Sequence, residues 1–154
     1  MSTWKDPNSE RLVYFAPEVN AVFGQYVQGD QDAEAGGILL GHVRGIHLEI
    51  LEATVPTPKD RRLKYFFTRL LHSHQSIAER RWRESSGLIR YVGEWHTHPE
   101  DDPTPSGLDI AEWQRLASDR RDRRPMLATI VERESLRTEY VQAGGARCRL
   151  YSLP

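Results

Sequence analysis

Gly93-Glu94-Trp95-His96-Thr97-His98-Pro99 and, one loop later, Ser106-Gly107-Leu108-Asp109 are the stretch around which this chain is organised. Residues 88–96 read as a strand running into His-Thr-His-Pro. Positions two apart on a strand share a face, so His96 and His98 present two imidazoles side by side. Pro99 cannot continue a central strand, which puts the pair at a strand end where a site can open to solvent. The seven residues Pro99–Pro105 form a loop that returns the chain. Ser106 then opens a helix, and Asp109 falls in its first turn. Two imidazoles and a carboxylate make a three-ligand set, the pattern of a catalytic zinc site that keeps a fourth position for water. Plainer readings compete with this one. A His-x-His pair can simply be two polar strand residues, and Ser106 with Asp109 is a capping-box variant that needs no metal. The joint arrangement favours the metal.

Outward from this stretch, the chain mixes strands and helices without regular alternation. Residues 11–15 look like a short strand, and Pro17 suits a first helical position. Val19, Val22, Phe23, Tyr26 and Val27 follow with helical spacing, and Gly29 is placed to end that helix. An acidic loop through Asp30, Asp32 and Glu34 leads to residues 37–43, an apolar run expected to be a buried strand. Arg44-Gly45 is read as a turn. Ile46, Leu48 and Ile50 then alternate with polar neighbours as in a half-buried strand. Leu63–Phe67 is another expected strand. A second helix is expected from about Leu70 to Glu84, with Leu70, His74, Ile77, Ala78 and Trp82 on its inner face. Ile110, Trp113, Leu116 and Ala117 line the third. Strands near 126–131, 136–141 and 146–151, joined by short turns, require antiparallel pairing. The fold class expected is α/β (α+β), a mixed sheet flanked by helices, in one domain over residues 1–154.

Composition sets the outer limits. The 154 residues, 38% hydrophobic and 28% charged, suit one globular domain with a core of its own. A net charge of -1 offers no global basic field for nucleic acid. No run approaches the roughly 20 apolar residues of a membrane span. The amino terminus does not read as a signal peptide. A single cysteine, Cys148, forbids an internal disulfide framework, excludes a thiolate-rich structural zinc site and suits a cytoplasmic location.

Other residues attract plainer readings. His72-Ser73-His74 lies in expected helix, where positions two apart point about 200° around the axis, so the rings cannot converge on one ion. His74 is read as a half-buried helix residue, and His42 and His47 as structural. Cys148 is read as a small core residue. A cysteine-peptidase reading ignores the histidine and carboxylate set. Arg115, Arg120, Arg121, Arg123 and Arg124, with Asp119 and Asp122 among them, read as a solvated helix end favoured by the helix dipole. The alternative is a docking patch for an acidic partner.

His96-Thr97-His98-Pro99 with Ser106 and Asp109, together with Glu34-Ala35-Gly36-Gly37-Ile38-Leu39-Leu40-Gly41 upstream, resembles the JAMM motif of the JAB/MPN zinc metallopeptidases. The fuller string Gly93-Glu94-Trp95-His96-Thr97-His98-Pro99-Glu100, with Pro103-Thr104-Pro105-Ser106 and Trp113 four residues after Asp109, is narrower still and resembles the small stand-alone bacterial JAB peptidases of integrative elements and type II CBASS antiphage operons. The resemblance implies a mixed sheet between helices, like that of cytidine deaminases. It also implies one zinc per chain held by His96, His98 and Asp109, with water as fourth ligand. Glu34 would be the general base and acid, and Ser106 would hydrogen-bond the tetrahedral oxyanion. The activity implied is deubiquitinase-like: hydrolysis of a peptide or isopeptide bond at the extended C-terminal tail of a CD-NTase or ubiquitin-like protein. A ubiquitin-transfer-like enzyme would be the functional partner. The chain lacks room for the long insertions that position ubiquitin in eukaryotic deubiquitinases, so a bacterial substrate is expected. A JAB peptidase acting on a sulfur-carrier protein and a non-catalytic MPN scaffold remain alternatives. A zinc deaminase does not, because its Pro-Cys-x-x-Cys signature needs more than one cysteine.

Overall fold

Most strands and helices form where the hydrophobic pattern places them, but the strand at Thr3–Lys5 was not expected and two expected strands divide. A computed structural model describes residues 3–27, 34–56, 61–63, 66–68, 71–98, 104–133 and 135–154, with backbone alone for 61–63, 66–68 and 71–73. The elements run β1 (Thr3–Lys5), β2 (Leu12–Phe15), α1 (Pro17–Gln25), β3 (Gly36–Arg44), β4 (His47–Ala53), β5 (Arg61–Leu63) and β6 (Phe66–Thr68). They continue with α2 (Leu71–Glu84), β7 (Arg90–Thr97), α3 (Gly107–Asp119), β8 (Met126–Val131), β9 (Leu136–Val141), β10 (Arg147–Arg149) and β11 (Tyr151–Ser152).

Nine of the strands form one mixed sheet in the order β10-β9-β8-β7-β3-β4-β2-β1-β11. The β2–β4 and β7–β8 pairs are parallel and the rest antiparallel. The sheet's two edge strands, β10 and β11, are separated in sequence by Leu150 alone. That residue is buried at 2% exposure and donates its N–H to the Thr138 carbonyl. One residue therefore joins opposite edges, and the sheet rolls into a nearly closed wall that leaves little free edge.

The β8 strand shows how the core is divided. Met126, Ala128 and Ile130 pack with Trp113 and Ala117 of α3, while Leu127 and Val131 face the other cluster, built on Phe15, Phe23 and Trp95. A strand buried on both faces reads as a continuous apolar run, as this one does. Gly93 lies opposite Leu127 in the parallel β7–β8 pair, and a Cβ there would collide with the Leu127 carbonyl oxygen. Because β7 and β8 are parallel neighbours, the chain must cross back between them, and α3 makes that crossing. Its amino terminus is thereby delivered beside the carboxyl end of β7.

Several expectations need correction. The first helix closes at Gln25, where the Tyr26 N–H turns to the Phe23 carbonyl, so Tyr26 and Val27 pack on the core from beyond the helix. Gly29 lies outside the described residues. The β3–β4 turn is Gly45-Ile46, which leaves Ile46 55% exposed rather than inward. The expected strand over Leu63–Phe67 is two strands, β5 and β6, paired antiparallel. Trp82 is not on the buried face of α2. It is 54% exposed, beside Gly87 where the chain reverses. The last expected strand divides at Leu150, since β10 pairs with β9 and β11 with β1. Cys148 is half-buried rather than a core residue, with its sulfur 3.3 Å from Asp6 Oδ1. Burial and that carboxylate push its thiol pKa up, away from nucleophilic use. No described helix is long and apolar enough to cross a membrane.

Candidate metal centre

The carboxyl end of β7 and the first turn of α3 meet at three side chains. His96 and His98 have ring centroids 4.9 Å apart on one face of the strand end. Asp109 reaches both: Oδ1 stands 3.5 Å from His96 Nε2 and Oδ2 stands 3.2 Å from His98 Nε2. All three are mostly buried, with side-chain exposures of 11%, 8% and 19%. Among the described residues they form the one cluster of metal-ligating groups, their ligand atoms all within 4.8 Å of one another.

The sequence builds this corner in stages. The His98 N–H donates to the Val131 carbonyl, which ties the strand end to β8. Ser106 is the N-cap of α3, and the capping box is complete. Ser106 Oγ accepts from the Asp109 N–H at 3.1 Å, and Asp109 Oδ2 accepts from the Ser106 N–H at 2.8 Å. The cap thus fixes the rotamer of the carboxylate as well as the helix start. One turn on, Trp113 is 3% exposed, with its ring centroid 6.1 Å from that of His96, and it closes the inner wall.

Burial by itself would raise the Asp109 pKa. The two imidazoles and the Ser106 N–H outweigh it and hold the carboxyl well below the usual carboxylate range. Asp109 is therefore an anion at neutral pH, as a ligand must be. His96 Nε2 is buried and makes no hydrogen bond among the described residues. A buried polar atom without a partner is costly, and here it faces the same carboxylate as its neighbour. Two ligands about 2.0–2.2 Å from one tetrahedral centre stand about 3.4 Å apart. The 3.2 and 3.5 Å separations match that edge. The residues present fit a metal ion of the zinc type.

Glu34 comes from the opposite strand. Gly36 pairs with His96 across the β3–β7 ladder. Continued outward, that register sets Ala35 against Thr97 and Glu34 against His98. Both Ala35 groups are bound to Thr97: its N–H donates to Thr97 Oγ1 at 2.9 Å, and its carbonyl accepts from the Thr97 N–H at 2.8 Å. Directly opposed residues share a face of the sheet, so Glu34, 3% exposed, lies on the face of the two histidines.

Behind the site is a second layer that sequence reading missed. Thr54 Oγ1 accepts from the Ile38 N–H and bonds His74 Nδ1 at 2.7 Å, while the Thr54 carbonyl accepts from Trp95 Nε1. Gly37 passes so close that a Cβ would collide with Thr54. His74 is fully buried rather than half-buried. His47 is structural, as expected, its Nδ1 accepting from the Leu12 N–H.

The arginine cluster is not the last turn of α3, which carries no basic residue. Arg115 is paired to Glu112 and Asp119 within the helix, and Arg120 caps it, bound to Asp122 over the Tyr91 ring. Arg121, Arg123 and Arg124 are exposed.

The profile of prokaryotic homologues of the JAB domain matches residues 17–143. This chain belongs to that family. A Pseudomonas aeruginosa relative named a CD-NTase/cGAS isopeptidase is 51% identical over 146 residues, covering 94% of this JAB-domain chain and 92% of the relative. An Escherichia coli relative of the same name is 39% identical over 67% of this chain and 64% of its own length. A Vibrio cholerae relative, again so named, is 39% identical over 66% of this chain and 63% of its own. The solution structure of a Desulfitobacterium hafniense protein superposes with a TM-score of 0.64 at 15% identity, over 89% of this chain and 88% of that one, and so shares the fold. The α/β class and mixed sheet expected from the sequence are those of the JAB family.

Proposed function

We propose that this JAB-domain protein is a zinc-dependent isopeptidase that hydrolyses the bond joining the C-terminal tail of a CD-NTase to an amine. The observation that carries the proposal is the convergence of His96, His98 and Asp109 at one strand end, with Glu34 brought to the same face by the β3–β7 register. The printed names of relatives 39–51% identical supply the substrate class.

His96, His98 and Asp109 would hold the metal. When bound, zinc supplies a Lewis acid that polarises a carbonyl and lets water ionise near neutral pH. Glu34 takes the proton of the attacking water and passes it to the departing nitrogen, so the C–N bond breaks to a carboxylate and a free amine. The Ser106 hydroxyl donates to the carbonyl oxygen as it gains charge. Its lone pair is engaged by the Asp109 N–H, which leaves its own proton to point elsewhere. A substrate tail entering as an extended strand would gain main-chain hydrogen bonds from the sheet rim. The ubiquitin-transfer-like enzyme of a type II CBASS operon belongs to the same proposal as functional partner, as does a cytoplasmic location.

The test is intact mass spectrometry of a CD-NTase carrying a C-terminal fusion, incubated with the zinc-loaded protein. Cleavage at one junction, absent with Glu34→Ala, is the expected result. No cleavage by a chain holding one zinc would move the substrate to a sulfur-carrier protein. No zinc at all would favour the scaffold reading.

A further inference from the structure

Glu34 stands outside regular structure, two residues before β3 begins, yet a general base must be held to within a fraction of an ångström. The paired residues of β3 begin at Gly36, so Glu34 lies beyond them. One link between Glu34 and the metal ligands runs through Ala35, which is fastened at both backbone groups by Thr97, the residue between the two histidines. Thr97 and Ala35 are both fully buried, so water cannot substitute without movement. Thr97 alternates with His96 and His98 along the strand and so needs no place in the ligand set. Its hydroxyl takes the bond that a backbone carbonyl would otherwise accept.

We propose that Thr97 is the positioning residue for the general base. Through the Ala35 N–H it sets Glu34 at a fixed station relative to His96 and His98. This rests on the isopeptidase reading with Glu34 as base. Without the hydroxyl, the Ala35 N–H is left buried without an acceptor. The Glu34–Ala35 segment then swings to recover one, and each turnover must bring it back against that penalty. The loss falls on kcat, because the metal ligands and the substrate rim are untouched.

Thr97→Val removes the acceptor at nearly constant volume, and Thr97→Ser restores it. The expected result for Thr97→Val is a fall in kcat of about 10- to 100-fold, the scale of a buried donor left unpaired. KM should stay within about twofold, at one zinc per chain, and Thr97→Ser should recover most of the rate. A double-mutant cycle with Glu34→Gln tests the route: if Thr97 acts through Glu34, Thr97→Val costs nothing further once the base is gone. Amide hydrogen exchange of Ala35 gives a readout independent of activity, with protection falling at least about tenfold in Thr97→Val and surviving in Thr97→Ser. Where the valine variant does not fold, Thr97→Ala removes the same hydroxyl without added bulk and is read the same way. Unchanged kcat, an unchanged Ala35 exchange rate, or a full additional loss on the Glu34→Gln background would each overturn the proposal. Undiminished activity in Glu34→Gln would instead overturn the choice of Glu34 as base.

Discussion

A pair of substitutions can separate the helix cap at Ser106 from its proposed oxyanion role. Ser106 Oγ caps α3 by accepting from the Asp109 N–H at 3.1 Å, and its hydroxyl is assigned to the substrate oxyanion. Replacing an N-cap serine by glycine costs only a few tenths of a kcal/mol, whereas alanine typically costs about 1 kcal/mol. In a chain of this size, about 1 kcal/mol shifts Tm by roughly 2–4 °C. Ser106→Gly should therefore melt within about 1 °C of the native protein and Ser106→Ala about 2–4 °C lower. Both lose the hydroxyl donor, which is worth about 2.7–4 kcal/mol at an oxyanion, so kcat should fall about 10²- to 10³-fold in both. The Ser106 N–H bond to Asp109 Oδ2 is main-chain in origin and survives either change, so zinc content should hold at one per chain. Ser106→Thr keeps cap and donor and should remain active. The assay is the rate of fusion cleavage by intact mass, with melting and elemental analysis on the same samples. A kcat within threefold of the native value in Ser106→Gly would refute the oxyanion role and leave Ser106 a helix cap.

Three further outcomes follow from the packing and the site. Gly93→Ala should prevent stable folding or shift the β7–β8 register, because its Cβ would strike the Leu127 carbonyl; a variant that melts like the native chain would contradict the pairing. Removing zinc with a chelator should lower Tm by about 8–16 °C when the native sample was held near 1,000 times its Kd, and added zinc should restore it. Thr54→Val should lower stability without displacing zinc, since it strands the Ile38 N–H and removes the hydroxyl at His74 Nδ1 behind the site; circular dichroism melting and metal content check both halves.

What the sequence made legible was whatever depends on short spacing. His96 and His98 follow from strand alternation, Asp109 from a loop and a helix start, and Ser106 from the capping pattern. Glu34 is 62 residues from His96. Its meeting with the histidines was legible through the motif, while its mechanism, the Gly36–His96 register, was not. That register also hides Thr97, and the β3–β4 register, with Leu39 opposite Ala53, hides Thr54. A hydroxyl that replaces a ladder carbonyl looks in sequence like any strand threonine. Trp82 failed for a different reason. Helical spacing shows which residues share a face, but only a neighbour on that side buries them, and among the described residues none covers Trp82 at the end of α2. The division at Leu150 reflects closure of the whole sheet, a property of nine strands together that no local window contains.

The most direct test of the account is the zinc content of three chains purified without chelator, measured by elemental analysis. One zinc per chain is expected in the native protein, one in Glu34→Ala, whose side chain is proposed as base and not as ligand, and essentially none in His96→Ala. A native chain without zinc, or a His96→Ala chain that keeps it, would contradict the metal centre on which the rest depends.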